Sequence, residues 1–165
     1  MNVILIGMPT CGKSTVGVLV AKALGYDFVD TDLLIQKREK RKLGEIIAAE
    51  GMEAFSRIEE EVNASLQAEH TVVAPGGSVV YGKRAMEHFQ QMGKIVYLHL
   101  SCPAIEARLK DARARGVVMK EGMTIEDLYE ERRPLYEKYA DITIECDGRT
   151  MEEVVSLVLA ALRRS

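Results

Sequence analysis

The sequence predicts an α/β domain, a doubly wound parallel sheet of five strands with helices on both faces. Short β-branched runs alternate with longer stretches whose apolar residues recur at three-and-four spacing, the pattern of repeated βαβ units. The opening run Val3, Ile4, Leu5 and Ile6 is apolar throughout, as in a strand covered on both faces. A chain of 165 residues, 47% of them hydrophobic, buries about 70% of its unfolded surface and so needs no disulfide or metal to complete a core.

Taken in order, strands are expected over residues 2–6, 27–29, 71–74, 95–100 and 141–145. The first helix is expected over 13–24, where Val16, Leu19, Val20, Ala23 and Leu24 share a face and Gly25 closes the last turn. Further helices are expected over 43–50, 53–68, 82–92, 103–114, 124–139 and 151–163. Thr124 ahead of Asp127 reads as an N-terminal cap, and Thr150 with Glu153 as a capping box. The basic run 37–42 is interrupted by Glu39 and reads as a solvated helix end. The least patterned stretch, 112–123, carries Arg113, Arg115, Gly116, Lys120 and Gly122 and predicts a mobile basic loop. With no repeat, low-complexity tract or long linker, residues 1–165 read as a single domain.

Charge and composition exclude several classes of function. The 22 Lys and Arg against 25 Asp and Glu give a net charge of −3, and no basic cluster lies beside stacking aromatics, so no nucleic-acid partner is expected. No run is long enough to span a membrane, and the apolar start has neither a basic flank nor a cleavage site. Cys11, Cys102 and Cys146 are odd in number and form no CxxC pair, which suits a reducing, cytoplasmic setting. His70, His88 and His99 are far apart, without zinc-ligand spacing. A monomer is expected.

Between the first strand and first helix, residues 7–14 read Gly-Met-Pro-Thr-Cys-Gly-Lys-Ser and match GxxxxGK[ST] in the context that motif requires. Average residue usage produces such a match by chance less than about once in a hundred chains of this length. Gly7 and Gly12 let the backbone curl so that successive N–H groups and the helix N-terminus face phosphate. Thr10, Cys11 and Thr15 belong to the same nucleotide-binding set; Lys13 reaches the β and γ oxygens of ATP, and Ser14 ligates Mg²⁺. Cys11 reads either as a redox switch or as a small tolerated side chain.

A phosphate loop names a nucleotide and not a function. Asp30 and Asp32 follow the second strand on alternate positions at the C-terminal edge of the sheet, where ligands bind in this architecture. One would hold Mg²⁺ through water, and the other would accept a proton from, or orient, an acceptor hydroxyl. The plain alternative for Asp32 is an N-cap. After the third strand, Pro75-Gly76-Gly77-Ser78 allows close approach to the backbone or forms an ordinary turn. Guanidinium groups come from Arg57, in Phe55-Ser56-Arg57-Ile58-Glu59, and from Arg132 and Arg133 before Pro134-Leu135-Tyr136; taken singly they read as surface ion pairs.

In the order and spacing of these motifs nearly the whole chain resembles the shikimate kinases, within the nucleoside monophosphate kinase group of P-loop folds. The resemblance implies a sheet order of 2-3-1-4-5, acceptor-binding helices over about 32–68, a lid over about 112–123, Mg-ATP as donor, and a cyclic hydroxy acid phosphorylated on its 3-hydroxyl. It implies Asp30 on the magnesium side, Asp32 on the acceptor hydroxyls, Gly76 and Gly77 lining the acceptor pocket, Arg132 on the acceptor carboxylate and Arg108 stacked on adenine. Arg115 falls at the lid arginine that closes over the transferred phosphate, although the family's Arg-Pro-Leu is here Arg115-Gly116-Val117. Lys13, Asp32 and Arg115 form the expected catalytic set, with Ser56, Arg57 and Glu59 on the acceptor helix.

Two departures bear on the acceptor. The family's Phe-Arg-x-x-Glu has Ser56 at the arginine position, and Arg57, one residue on, is about 100° away around a helix. Losing one bidentate arginine from a carboxylate site costs about 2–5 kcal/mol of binding if nothing replaces it. The family's three glycines are here Pro75-Gly76-Gly77. The rival readings are therefore a same-fold kinase for another small hydroxylated metabolite, a nucleoside monophosphate kinase, or a non-catalytic ATP-binding regulator. The cations Lys13, Arg108, Arg115 and Arg132 are expected in one cleft, with the acidic surplus elsewhere.

Overall fold

In the computed structural model, which describes residues 1–109 and 122–165, five strands form: β1 (Asn2–Ile6), β2 (Asp27–Asp30), β3 (Thr71–Ala74), β4 (Gly93–His99) and β5 (Ile142–Glu145). They lie in the order β2-β3-β1-β4-β5, every pair parallel, the P-loop kinase arrangement. The central strand β1 is buried at every residue, and each such Val, Leu or Ile contributes roughly 1.5–3 kcal/mol. Buried Asn2 secures its start: Nδ2 donates to Ala68 O at 2.9 Å and Met92 O at 3.3 Å, and Oδ1 accepts from Thr71 N at 3.0 Å.

The helices are α1 (Lys13–Leu24), α2 (Thr31–Glu39), α3 (Leu43–Ala64), α4 (Lys83–Met92), α5 (Cys102–Leu109), α6 (Ile125–Tyr139) and α7 (Met151–Arg164), with a 3₁₀ turn over Gly77–Tyr81. Gly25 ends α1 in the left-handed conformation, and the Thr124/Asp127 and Thr150/Glu153 pairs both form full capping boxes. The helices expected over 43–50 and 53–68 are continuous as α3 but break at Gly51, whose φ of 88° and ψ of 168° no helix contains. That second stretch stops at Ala64. Arg115, and the expected lid up to residue 121, lie outside the described residues, as does the end of the helix expected over 103–114.

Helix α2 was not among the expected helices. Its apolar residues Leu33, Leu34 and Ile35 are consecutive and a charged run follows, so no helical period shows. What starts it is a cap: Asp30 Oδ1 accepts from Asp32 N at 2.9 Å and from Leu33 N at 3.3 Å. The N-cap reading of Asp32 is thus corrected, because Asp30 holds that position and Asp32 is already inside the first turn. Ile35, Ile46, Phe55 and Val62 form a small core of their own where α2 meets α3. That packing fixes α2 and α3 relative to each other.

Candidate active site

The C-terminal ends of β1, β2 and β3 open onto a cleft of about 470 Å³. Its floor is the loop between β1 and α1. Gly12 caps α1 at φ 96°, a conformation that costs an L side chain energy and turns the following N–H groups toward the cleft. Lys13 Nζ donates to Gly7 O at 2.7 Å and Met8 O at 3.0 Å, so the ammonium rests on the loop's own carbonyls. Thr10 has φ 68°, and its hydroxyl is shielded without a hydrogen-bond partner among the described residues. Ser14 Oγ donates to Asp30 Oδ2 at 3.2 Å, the oxygen of Asp30 that does not cap α2.

Beside the loop two acids face one glycine, in a turn whose next residue, Gly77, packs against Pro9 and Gly7 O. A Cβ on Gly76 would lie 2.7 Å from Asp32 Oδ1, 3.2 Å from Asp32 Oδ2 and 3.2 Å from Glu59 Oε2. Asp32 Oδ1 is shielded and has no hydrogen-bond partner among the described residues. Burial raises its carboxyl to about 6, the Asp30 carboxylate adding to this and Lys13 opposing it. Glu59 is 3% exposed. Burial raises it to about 8, with Asp32 adding while the Ser78 hydrogen bond and Arg132 oppose. Ser78 Oγ is 2.8 Å from both Glu59 carboxyl oxygens.

Arg132, on α6, is 1% exposed. Its Nε donates to Tyr81 Oη at 3.3 Å, its guanidinium lies 5.3 Å from the Tyr81 ring centre, and Nη1 would be 3.0 Å from a Cβ on Gly77. Tyr136, one turn on, donates to Gly77 O at 2.7 Å and stacks on Tyr97 at 5.1 Å. Its buried phenol is pushed up and stays a donor. Neighbouring Arg133 instead pairs with Glu137 at 3.0 Å on the exposed face. Also on the loop, Arg108 Nη1 donates to Thr10 O at 2.9 Å, and Leu109 and Met151 line the cleft with it.

The structure brings most of the expected residues together. Thr10, Gly12, Lys13, Ser14, Thr15, Asp30, Asp32, Glu59, Gly76, Gly77, Arg108 and Arg132 all line the cleft. Gly7 and Cys11 do not; Gly7 O is engaged by Lys13, and the Cys11 side chain is buried beneath the loop. Ser56 and Arg57 are exposed and do not line it either. The acids are not kept elsewhere, since Asp30, Asp32 and Glu59 share the cleft with Lys13, Arg108 and Arg132. Sequence reasoning assigned no role to Ser78, Met151, Tyr81 or Tyr136. Ser78 stands beside the glycine turn, and Tyr136 within Pro134-Leu135-Tyr136, but their partners are 19 and 59 residues away.

A family model for shikimate kinase matches residues 9–163. The chain belongs to the shikimate kinase family. It is 38% identical to the shikimate kinase of Thermodesulfovibrio yellowstonii, over 99% of this chain and 95% of that one. With the shikimate kinase of Rippkaea orientalis it is 34% identical, over 98% and 88%. Among solved structures, shikimate kinase from Acinetobacter baumannii in complex with shikimate matches with a TM-score of 0.88 at 28% identity, over 99% of this chain and 93% of that one. Shikimate kinase from Aquifex aeolicus matches with a TM-score of 0.83 at 31% identity, over 99% and 96%. Deoxyadenosine kinase from M. mycoides, at 12% identity and a TM-score of 0.59 over 99% and 100%, shares the fold alone. The shikimate kinase family implies ATP binding and a small-molecule acceptor.

Proposed function

We propose that this chain transfers the γ-phosphoryl group of ATP to a hydroxyl of a small acceptor, and that the acceptor is shikimate, phosphorylated on its 3-hydroxyl. The observation that carries the reading is one cleft holding both Lys13 on the phosphate loop and the Asp32 and Glu59 carboxyls over Gly76. Lys13 would exchange the loop carbonyls for phosphate oxygens, and Thr10 would give its unused hydroxyl to the same anion. Arg108 and Met151 flank the place for the base. Arg115, outside the described residues, completes the proposed catalytic set with Lys13 and Asp32.

Ser14 and Asp30 fit Mg²⁺. They are hard oxygen donors already within hydrogen-bond distance of each other, and this ion takes one or two protein oxygens with phosphates and waters. When bound it neutralises charge on the β and γ phosphates. Asp32 would act on the acceptor hydroxyl as base or orienting carboxylate, and Arg132 would hold the acceptor carboxylate. Catalysis on this reading is mostly positioning and charge neutralisation.

One observation favours a second acceptor. Ser56 and Arg57 are both exposed and outside the cleft, so among the described residues Arg132 and Arg108 are the arginines that line it. A different small polyol or hydroxy acid would need less cationic grip. ADP release with Mg-ATP and a panel of shikimate, other polyols and hydroxy acids, AMP, CMP and UMP tests both readings. A shikimate rate at the ATPase background, beside turnover of another compound, sinks the first. ATP binding with transfer to no compound would leave the regulator.

A further inference from the structure

Ser78 belongs to the 3₁₀ turn after β3 and is 5% exposed. Its hydroxyl reaches both oxygens of Glu59 at 2.8 Å, and it is the side chain that bonds that carboxyl among the described residues. Among the described residues the charged groups facing Glu59 come from two other elements, Asp32 from α2 and Arg132 from α6, with Lys13 of α1 acting on Asp32 and Tyr81 and Tyr136 beside Arg132. Residues flanking Glu59 on α3 offer no cation to the cleft, because Ser56 and Arg57 are exposed. A carboxyl so enclosed, with rotatable bonds back to α3, needs something to hold it over Gly76.

We propose that Ser78 is a positioning residue for the acceptor: its hydroxyl holds the Glu59 carboxyl against the Gly76 wall, where that carboxyl shapes the acceptor side of the cleft next to Asp32. The inference rests on the phosphotransfer reading above and deepens it, since it assigns how the acceptor wall is kept in place. The Ser78 hydrogen bond favours the ionised form of Glu59. Removing it therefore moves the proton loss of Glu59 to higher pH and also frees the carboxyl to turn.

Ser78→Ala and Ser78→Thr provide the test. The reference is the acceptor that the wild-type protein turns over, shikimate being tried first. In Ser78→Ala the KM for the acceptor rises about tenfold, the scale of one lost hydrogen bond, and the KM for ATP stays put. In protein labelled with ¹³C at glutamate carboxyls, the Glu59 signal, identified by its loss in Glu59→Gln, titrates at higher pH. Ser78→Thr, which keeps the hydroxyl, returns both toward wild type. An unchanged acceptor KM, a KM for ATP that rises in step, or an unmoved Glu59 titration each overturns the proposal. The titration needs no acceptor, so it decides Ser78's hold on Glu59 even if the wild-type protein transfers phosphate to nothing, an outcome that would instead sink the phosphotransfer reading.

Discussion

Asp30 uses one carboxylate oxygen to cap α2 and the other to meet Ser14, so a substitution there mixes helix stability with the proposed magnesium site. Asp32 separates these effects, because neither of its oxygens caps a helix. Asp32→Asn keeps the shape and removes the charge that would act on the acceptor hydroxyl, and turnover is expected to fall at least about a hundredfold with the fold intact. Near-normal turnover in the folded variant would remove Asp32 from the mechanism. Glu59 gives a prediction about stability. Its carboxyl titrates near 4.5 in the unfolded chain and about 8 in the folded one, so the folded state keeps a proton that the unfolded state has lost. Its contribution is full below about pH 4.5, declines as pH rises toward 8 and is gone above, a swing of roughly 5 kcal/mol. Urea unfolding at pH 5.5 and pH 9 should show this decline in wild type and a flatter profile in Glu59→Gln.

Two glycines in the proposed acceptor region separate crowding from backbone strain. Gly76 has an ordinary extended backbone at φ −63° and ψ 157°, so alanine is conformationally acceptable, yet its Cβ would press on Asp32 and Glu59. Gly76→Ala should therefore lower kcat/KM for the acceptor by about tenfold or more, the scale of overpacking a fitted site, with little change in KM for ATP. Gly51 is exposed with nothing near its missing Cβ, but its φ and ψ are open to glycine almost alone. Gly51→Ala should cost about 1–3 kcal/mol, several degrees of Tm, and leave the acceptor KM near wild type. Equal effects of the two changes on Tm and KM would show that the elements do not act separately. The sequence made the strands legible because their apolar runs are local, as are the caps at Thr124 and Thr150. It hid α2 because that helix starts from a cap on a residue read as a metal ligand and has no apolar period. It could not choose between a surface and a buried role for Arg132, since Tyr81 and Tyr136 enclose it from two different elements.

The net charge of −3 does not describe the cleft, where, among the described residues, three cations and three carboxyls lie in one space. On the proposed reading the phosphate half carries Lys13 and Arg108, and the acceptor half carries Asp32, Glu59 and Arg132. A nucleotide in the phosphate half would touch the loop after β1, Arg108 on α5 and Met151 on α7, joining elements from both sides of the central strand. Its binding energy should therefore appear as stability of the whole domain. At a hundred times its Kd a ligand adds about 2.7 kcal/mol, several degrees of Tm for a chain of this size. Mg-ADP should raise the Tm of the wild-type protein by that much. Lys13→Ala loses two hydrogen bonds to loop carbonyls in the free protein and a charged partner for phosphate in the bound one, so the shift on adding Mg-ADP is the informative quantity, not the starting Tm. That shift is expected to fall by at least about half, because a hydrogen bond to a charged group is worth about 1.5–3 kcal/mol of the roughly 2.7 kcal/mol at stake. An undiminished shift in Lys13→Ala would place the nucleotide's main anchor elsewhere than the loop after β1.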